Sequence, residues 1–106
     1  MLGTATIEQA THLLLDAAPA GSQVFLFGSQ ATGKADARSD VDFLVVEPTV
    51  PDRLQEMLRL SEVLRPLKLP VDLMVLSRQH FDYWKNTPNS LAYRVVREGK
   101  EYGPAA

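Results

Sequence analysis

Val24-Phe25-Leu26-Phe27, then Gly28-Ser29-Gln30-Ala31-Thr32-Gly33, and shortly after them Ser39-Asp40-Val41-Asp42-Phe43-Leu44-Val45-Val46, are the runs on which the reading of this chain turns. The first is short, β-prone and free of polar interruption, which predicts a strand covered on both faces. Asp40 to Val46 predicts a second strand, ended by Glu47 and Pro48. The separation between the two is too short for a full crossover helix, so a mixed sheet is expected rather than an all-parallel one.

Asp40 and Asp42 lie two positions apart, so on one strand their side chains point the same way. Their Cα atoms are then roughly 6–7 Å apart at the usual strand rise. Two carboxylates so placed can converge on one or two hard cations, which in two-metal sites stand about 4 Å apart. Without a cation the like charges push one carboxyl towards protonation. Taken alone, Asp-x-Asp is more often two solvated charges at the exposed start of a strand. The preceding turn adds to it: Gly28 and Gly33 let backbone approach a ligand closely, N–H groups opening a short helix favour anions, and the Ser29 hydroxyl can donate to a phosphate oxygen.

Outward from this centre the pattern is regular. Thr6 and Gln9 stand at capping-box spacing before a helical run of Ile7, Ala10, Leu14 and Ala17 or Ala18, which Pro19 and Gly21 stop. Asp52 to Arg65 predicts an amphipathic helix with Leu54, Met57, Leu58, Ser61 and Leu64 as its apolar stripe, closed by Pro66. Val71 to Leu76 predicts a third strand in which Val71, Leu73 and Val75 share a face and Asp72 takes the other. A lone Asp in an apolar strand is costly unless paired or metal-bound. Ser77 is a suitable N-cap for a short helix carrying Phe81 and Trp84. Thr87-Pro88 reads as the cap of a last helix, with Leu91, Ala92, Val95 and Val96 buried and Gly99 at C′. Residues 102–106 read as frayed. The expected architecture is α+β, a small mixed β-sheet packed by helices, as one domain over residues 1–106.

The 106 residues, 45% of them hydrophobic and 23% charged, suit one modest core and exclude a disordered or collagen-like chain. A formal charge of −2 with mixed signs offers no broad basic footprint, so nucleic acid is not the expected ligand. Cysteine is absent, which removes disulfides, thiolate zinc sites and cysteine nucleophiles. No apolar run is long enough to span a bilayer and no leader peptide is visible, so a cytoplasmic location is expected. His12 and His80 read as surface or packing residues rather than metal ligands, and Phe81 and Trp84 read as core or interface rather than a base-stacking platform.

The Gly28-Ser29 turn, a spacer, and Asp40 and Asp42 on the following strand together resemble the signature of the polymerase-beta-like nucleotidyltransferase superfamily. The match is closest to the minimal nucleotidyltransferase (MNT) domains of HEPN/MNT toxin–antitoxin pairs. The closing stretch from Arg94 to Tyr102 is similar to that family's ending. The resemblance implies the superfamily's fold, Mg2+ held by Asp40, Asp42 and Asp72, and ATP as the nucleotide. It implies that Gly28, Ser29 and Gly33 grip the triphosphate, and that Asp72 is either a third ligand or the base for the acceptor hydroxyl. Gln30 and Thr32 stand where many relatives carry basic or aromatic residues, so extra grip from that loop is not expected of them, and Lys34 and Arg38 read as solvated charges rather than as replacements.

The activity implied is transfer of AMP from ATP to a hydroxyl, with a tyrosine of a helical HEPN toxin as the acceptor and neutralisation of that toxin as the role. A chain of this length leaves no room for an appended acceptor-binding domain, so a partner polypeptide is expected to complete the site. Two alternatives stay open. One is a non-catalytic antitoxin or scaffold that masks its partner with the surface near Phe81 and Trp84. The other is a small-molecule adenylyltransferase acting as a homodimer.

Overall fold

The computed structural model describes residues 4–28 and 40–105. In chain order they form α1 (Thr4–Ala17), β1 (Gln23–Phe27), β2 (Val41–Glu47), α2 (Arg53–Leu64), a 3-10 turn (Arg65–Leu67), β3 (Val71–Ser77), α3 (Arg78–Trp84), α4 (Leu91–Glu98) and β4 (Lys100–Tyr102). The short helix expected between the first two strands lies outside the described residues.

The four strands form one sheet in the order β3-β2-β1-β4. β1 runs antiparallel to β2 and to β4, while β2 and β3 are parallel. The sheet is therefore mixed, as the short β1–β2 separation implies. The parallel pair is joined through α2, which supplies the crossover that parallel strands require.

Pleating sorts the side chains of β2 onto two apolar layers. Val41, Phe43 and Val45, with Val24 and Leu26 of β1, pack against Ile7, Ala10 and Leu14 of α1 and Leu60 and Leu64 of α2. Leu44 and Val46, with Phe25 and Phe27, pack against Phe81 of α3 and Ala92 and Val95 of α4. The Phe25 and Phe81 rings stack with centroids 5.3 Å apart. Covering both faces is why β1 and the core of β2 read as continuous apolar runs.

Several expectations need correction. α1 already runs at Thr4, so Thr6 sits inside the helix rather than capping it. Asp52 caps α2 through a bond from the Gln55 N–H, but the buried stripe differs from the one expected: Leu60 and Leu64 are buried, whereas Leu54 and Leu58 are 66% and 58% exposed and Ser61 is exposed. At 100° per residue, Leu54, Leu58 and Ser61 lie roughly a quarter turn from Met57, Leu60 and Leu64. Both sets are apolar enough to form a stripe, and only the position of the sheet chooses between them.

The last helix is capped by Ser90, whose Oγ accepts from the Tyr93 N–H at 3.1 Å, and not by Thr87. Asn89 adopts a left-handed φ of 70° and turns the chain so that the helix starts one turn later than the Thr87-Pro88 pair suggests. Val96 faces out at 51% exposure. Gly99 is extended rather than left-handed, because the chain passes directly into β4. Its lack of a side chain still matters: a Cβ there would stand 2.6 Å from the Val95 carbonyl oxygen. Residues 102–105 are not frayed. Tyr102 pairs with Val24, the Ala105 N–H donates to the Ser22 carbonyl at 2.8 Å, and Ala105 is buried.

Among the described residues, no helix is long and apolar enough to cross a membrane.

Candidate functional site

The site grows out of the parallel pair. β2 and β3 align with Asp42 directly beside Asp72, and on the other side of β2 Asp42 lies opposite Phe27 of β1. In-register neighbours on parallel strands are about 4.8 Å apart and point to the same face. That face is the one carrying Leu44, Val46 and Phe27, so the two aspartates sit where its apolar layer ends, on the side covered by α3 and α4. Asp40 is exposed and lies immediately before β2 rather than on it, so the pair that strand register aligns is Asp42–Asp72.

Asp42 is partly buried and Asp72 is exposed. The burial cost anticipated for Asp72 therefore falls on Asp42, because β3 is an edge strand whose start is open to water. Burial raises the Asp42 pKa above the ordinary aspartate value; the Asp72 charge raises it further, Arg94 lowers it, and Asp40 adds a smaller upward push. These are the signs expected of acidic groups crowded together without enough positive charge.

Gly28 closes the site from β1. Its φ of +74° is left-handed, and a Cβ built on it would lie 2.2 Å from Asp42 Oδ2. Glycine is thus required twice over, once by the backbone and once by the carboxylate packed against it. Ser29 and Gly33 lie outside the described residues, as do Gln30, Thr32, Lys34 and Arg38.

Among the described residues, no group of three or more His, Asp or Glu side chains is arranged to hold a metal ion. Two features nevertheless suit a hard divalent cation. The donor set is carboxylate oxygen, which Mg2+ prefers, and the strand spacing matches what bridging carboxylates need. The upward pull of Asp72 and Asp40 on Asp42 is also a charge imbalance that a cation would relieve. His12 and His80 are exposed, one on α1 and the other on α3, on opposite sides of the sheet.

Arg94 was not anticipated at this site. Its guanidinium carbon lies 5.8 Å from the centroid of the Phe27 ring, and its charge reaches Asp42. The two residues are far apart in sequence, so no spacing rule could have paired them. Equally unanticipated is an acidic pair at the opposite end of β2. Glu47 is buried, faces α2, and shares a hydrogen bond with Glu56, which Arg59 holds through two bonds of 2.7 and 2.6 Å.

Paired carboxylates at an open strand end, beside a glycine turn, can position a cation-bound polyphosphate for substitution at phosphorus. The chain belongs to the nucleotidyltransferase domain family, whose model matches residues 9–99. It is a nucleotidyltransferase with the polymerase-beta-like fold. Solved structures that it resembles include toxin–antitoxin complexes. A toxin–antitoxin complex with AMP-PNP is 26% identical, superposes with a TM-score of 0.66, and aligns over 97% of this chain and 75% of the neighbour. A mutant of the toxin–antitoxin MntA-HpeT is 25% identical with a TM-score of 0.65 and the same two coverages. The MNT antitoxin bound to the tri-AMPylated HEPN toxin of Shewanella oneidensis shares the fold at 24% identity and a TM-score of 0.61, over 94% of this chain and 71% of that one. Among curated proteins, none matches the chain closely enough to add to this.

Proposed function

We propose that this chain transfers AMP from ATP to a hydroxyl of a helical HEPN-type partner, a tyrosine by the family resemblance, and thereby acts as an antitoxin. The observation that carries the reading is the in-register Asp42–Asp72 pair, packed against a glycine whose Cβ would collide with Asp42. The likeness to a toxin–antitoxin complex with AMP-PNP supports both the nucleotide and the setting.

Asp40, Asp42 and Asp72 would hold Mg2+, which when bound supplies the positive charge that makes a triphosphate attackable. Gly28 keeps the wall beside Asp42 low enough for a ligand to approach, with Ser29 and Gly33 completing the phosphate grip. In the reaction, a bond forms between the acceptor oxygen and the α-phosphorus while the bond to pyrophosphate breaks. The hydroxyl proton leaves to a base, the role that the family resemblance gives Asp72 as the alternative to metal binding, and its exposure beside Asp42 supports that alternative. Positioning and electrostatics then supply most of the rate.

The test is to incubate the chain with Mg-ATP and the protein that co-purifies with it, then weigh that protein. AMP-sized adducts are expected. A partner of unchanged mass, in the presence of a chain that binds Mg-ATP, would refute transfer to that partner.

Masking without chemistry is favoured by one observation: Tyr83 and Trp84 are exposed on α3, packed edge to face with centroids 5.0 Å apart. Phe81 does not contribute to such a surface, since it is buried against Phe25. Replacing Asp40 and Asp42 together by Asn separates the readings, because masking survives that change and adenylylation does not.

A further inference from the structure

We propose that α4 supplies the phosphate-binding cations of this site: Arg94 and Arg97 contact the polyphosphate of the nucleotide whose cation Asp42 and Asp72 hold. The inference rests on the nucleotidyltransferase reading and adds residues that neither the glycine turn nor the aspartates predict. A triphosphate brings several negative charges to a place already occupied by neighbouring carboxylates, so binding demands positive charge beyond one metal ion.

Among the described residues, Arg94 is the cation whose charge bears on Asp42. It lies over the ring of Phe27, which stands opposite Asp42 and directly precedes Gly28. Stacking on an aromatic face orients the guanidinium and leaves its N–H edge free to bond oxygen. It also pairs with Glu98, at 3.4 Å between side chains that are both about half exposed. Such a pair is worth about 0–1 kcal/mol, so exchanging it for a phosphate costs little.

Arg97 follows one helical turn later and is held in place rather than free. Its guanidinium lies 5.3 Å from the Tyr93 ring centroid and donates to the Tyr93 hydroxyl at 3.1 Å. Tyr93, Arg94 and Arg97 line one pocket of about 340 Å³, with Asn89 and Ser90 at one end and Glu98 at the other. The two arginines thus share one pocket, each oriented by an aromatic ring, and Arg94 links that pocket to Phe27, the residue opposite Asp42.

The experiment measures Mg-AMP-PNP binding to the full chain by isothermal titration calorimetry, for wild type, R94Q, R97Q and R94K. Both Gln variants should bind at least tenfold more weakly with unchanged thermal midpoints, since neither side chain is buried. R94K should recover part of the loss, and the salt dependence of binding should be shallower in R94Q. Wild-type affinity in R94Q and R97Q would overturn the assignment of the arginines while leaving the transferase reading intact. A wild-type chain that binds no nucleotide would sink both.

Discussion

Replacing Gly28 by alanine tests the geometry of the site most directly. A non-glycine residue in the left-handed region costs roughly 1–2 kcal/mol, and φ at this position is +74°. For a domain of this size that corresponds to a fall in melting temperature of roughly 5–10 °C. The larger consequence is local. The new methyl would stand 2.2 Å from Asp42 Oδ2, far inside contact distance, so the carboxylate must leave its position or the turn must open. Displacing a positioned group by about 1 Å can cost on the order of 100-fold in rate. G28A should therefore remain folded by circular dichroism, melt several degrees lower, and transfer AMP about 100-fold more slowly, as followed by pyrophosphate release with partner present. A G28A protein that melts as expected but retains transfer within about threefold would show that the packing of this glycine on Asp42 is not what the chemistry depends on.

Three other outcomes follow from the same structure. Asp42→Asn should abolish AMP transfer while holding or slightly raising stability in urea, because two unit charges about 5 Å apart repel by about 1 kcal/mol in a water-like dielectric; a large destabilisation would instead mark Asp42 as structural. Stability should vary with pH through the Glu47–Glu56 pair. Burial lifts the Glu47 pKa from 4.5 to about 8, with the Glu56 charge adding to it, and the Arg59 bonds hold Glu56 down at about 2. The Glu47 contribution is thus full below about pH 4.5 and fades as pH rises towards 8, while that of Glu56 is lost as pH falls from 4.5 towards 2. Chemical denaturation should show the pair's contribution peaking near pH 4.5–5, and Glu47→Gln, which keeps a donor towards Glu56, should flatten the decline on the alkaline side; an unaltered slope would rule the pair out as its source. Leu60→Ala should cost about 2–5 kcal/mol by urea denaturation, because Leu60 is fully buried between α2 and the sheet, whereas Leu58→Ala should cost far less.

What the amino-acid order determined by itself was whatever short-range physics controls. The apolar runs 24–27 and 43–46 became strands because β-prone side chains in a continuous stretch need cover on both faces, and β1 and β2 receive it. Asp52 and Ser77 became helix caps because a side-chain oxygen there meets an N–H three residues on. The glycine turn with its following aspartates marked the family, and the short connection required a mixed sheet. Tertiary structure alone decided what depends on partners distant in the chain. It chose the Leu60 face of α2 over the equally apolar Leu54–Leu58 face, since only contact with the sheet distinguishes them. It made a strand of Lys100-Glu101-Tyr102, three residues too few and too polar to announce one, by offering them the free edge of β1. It also brought Asp72 beside Asp42, and Arg94 over Phe27, through strand register and helix packing that no sequence interval encodes.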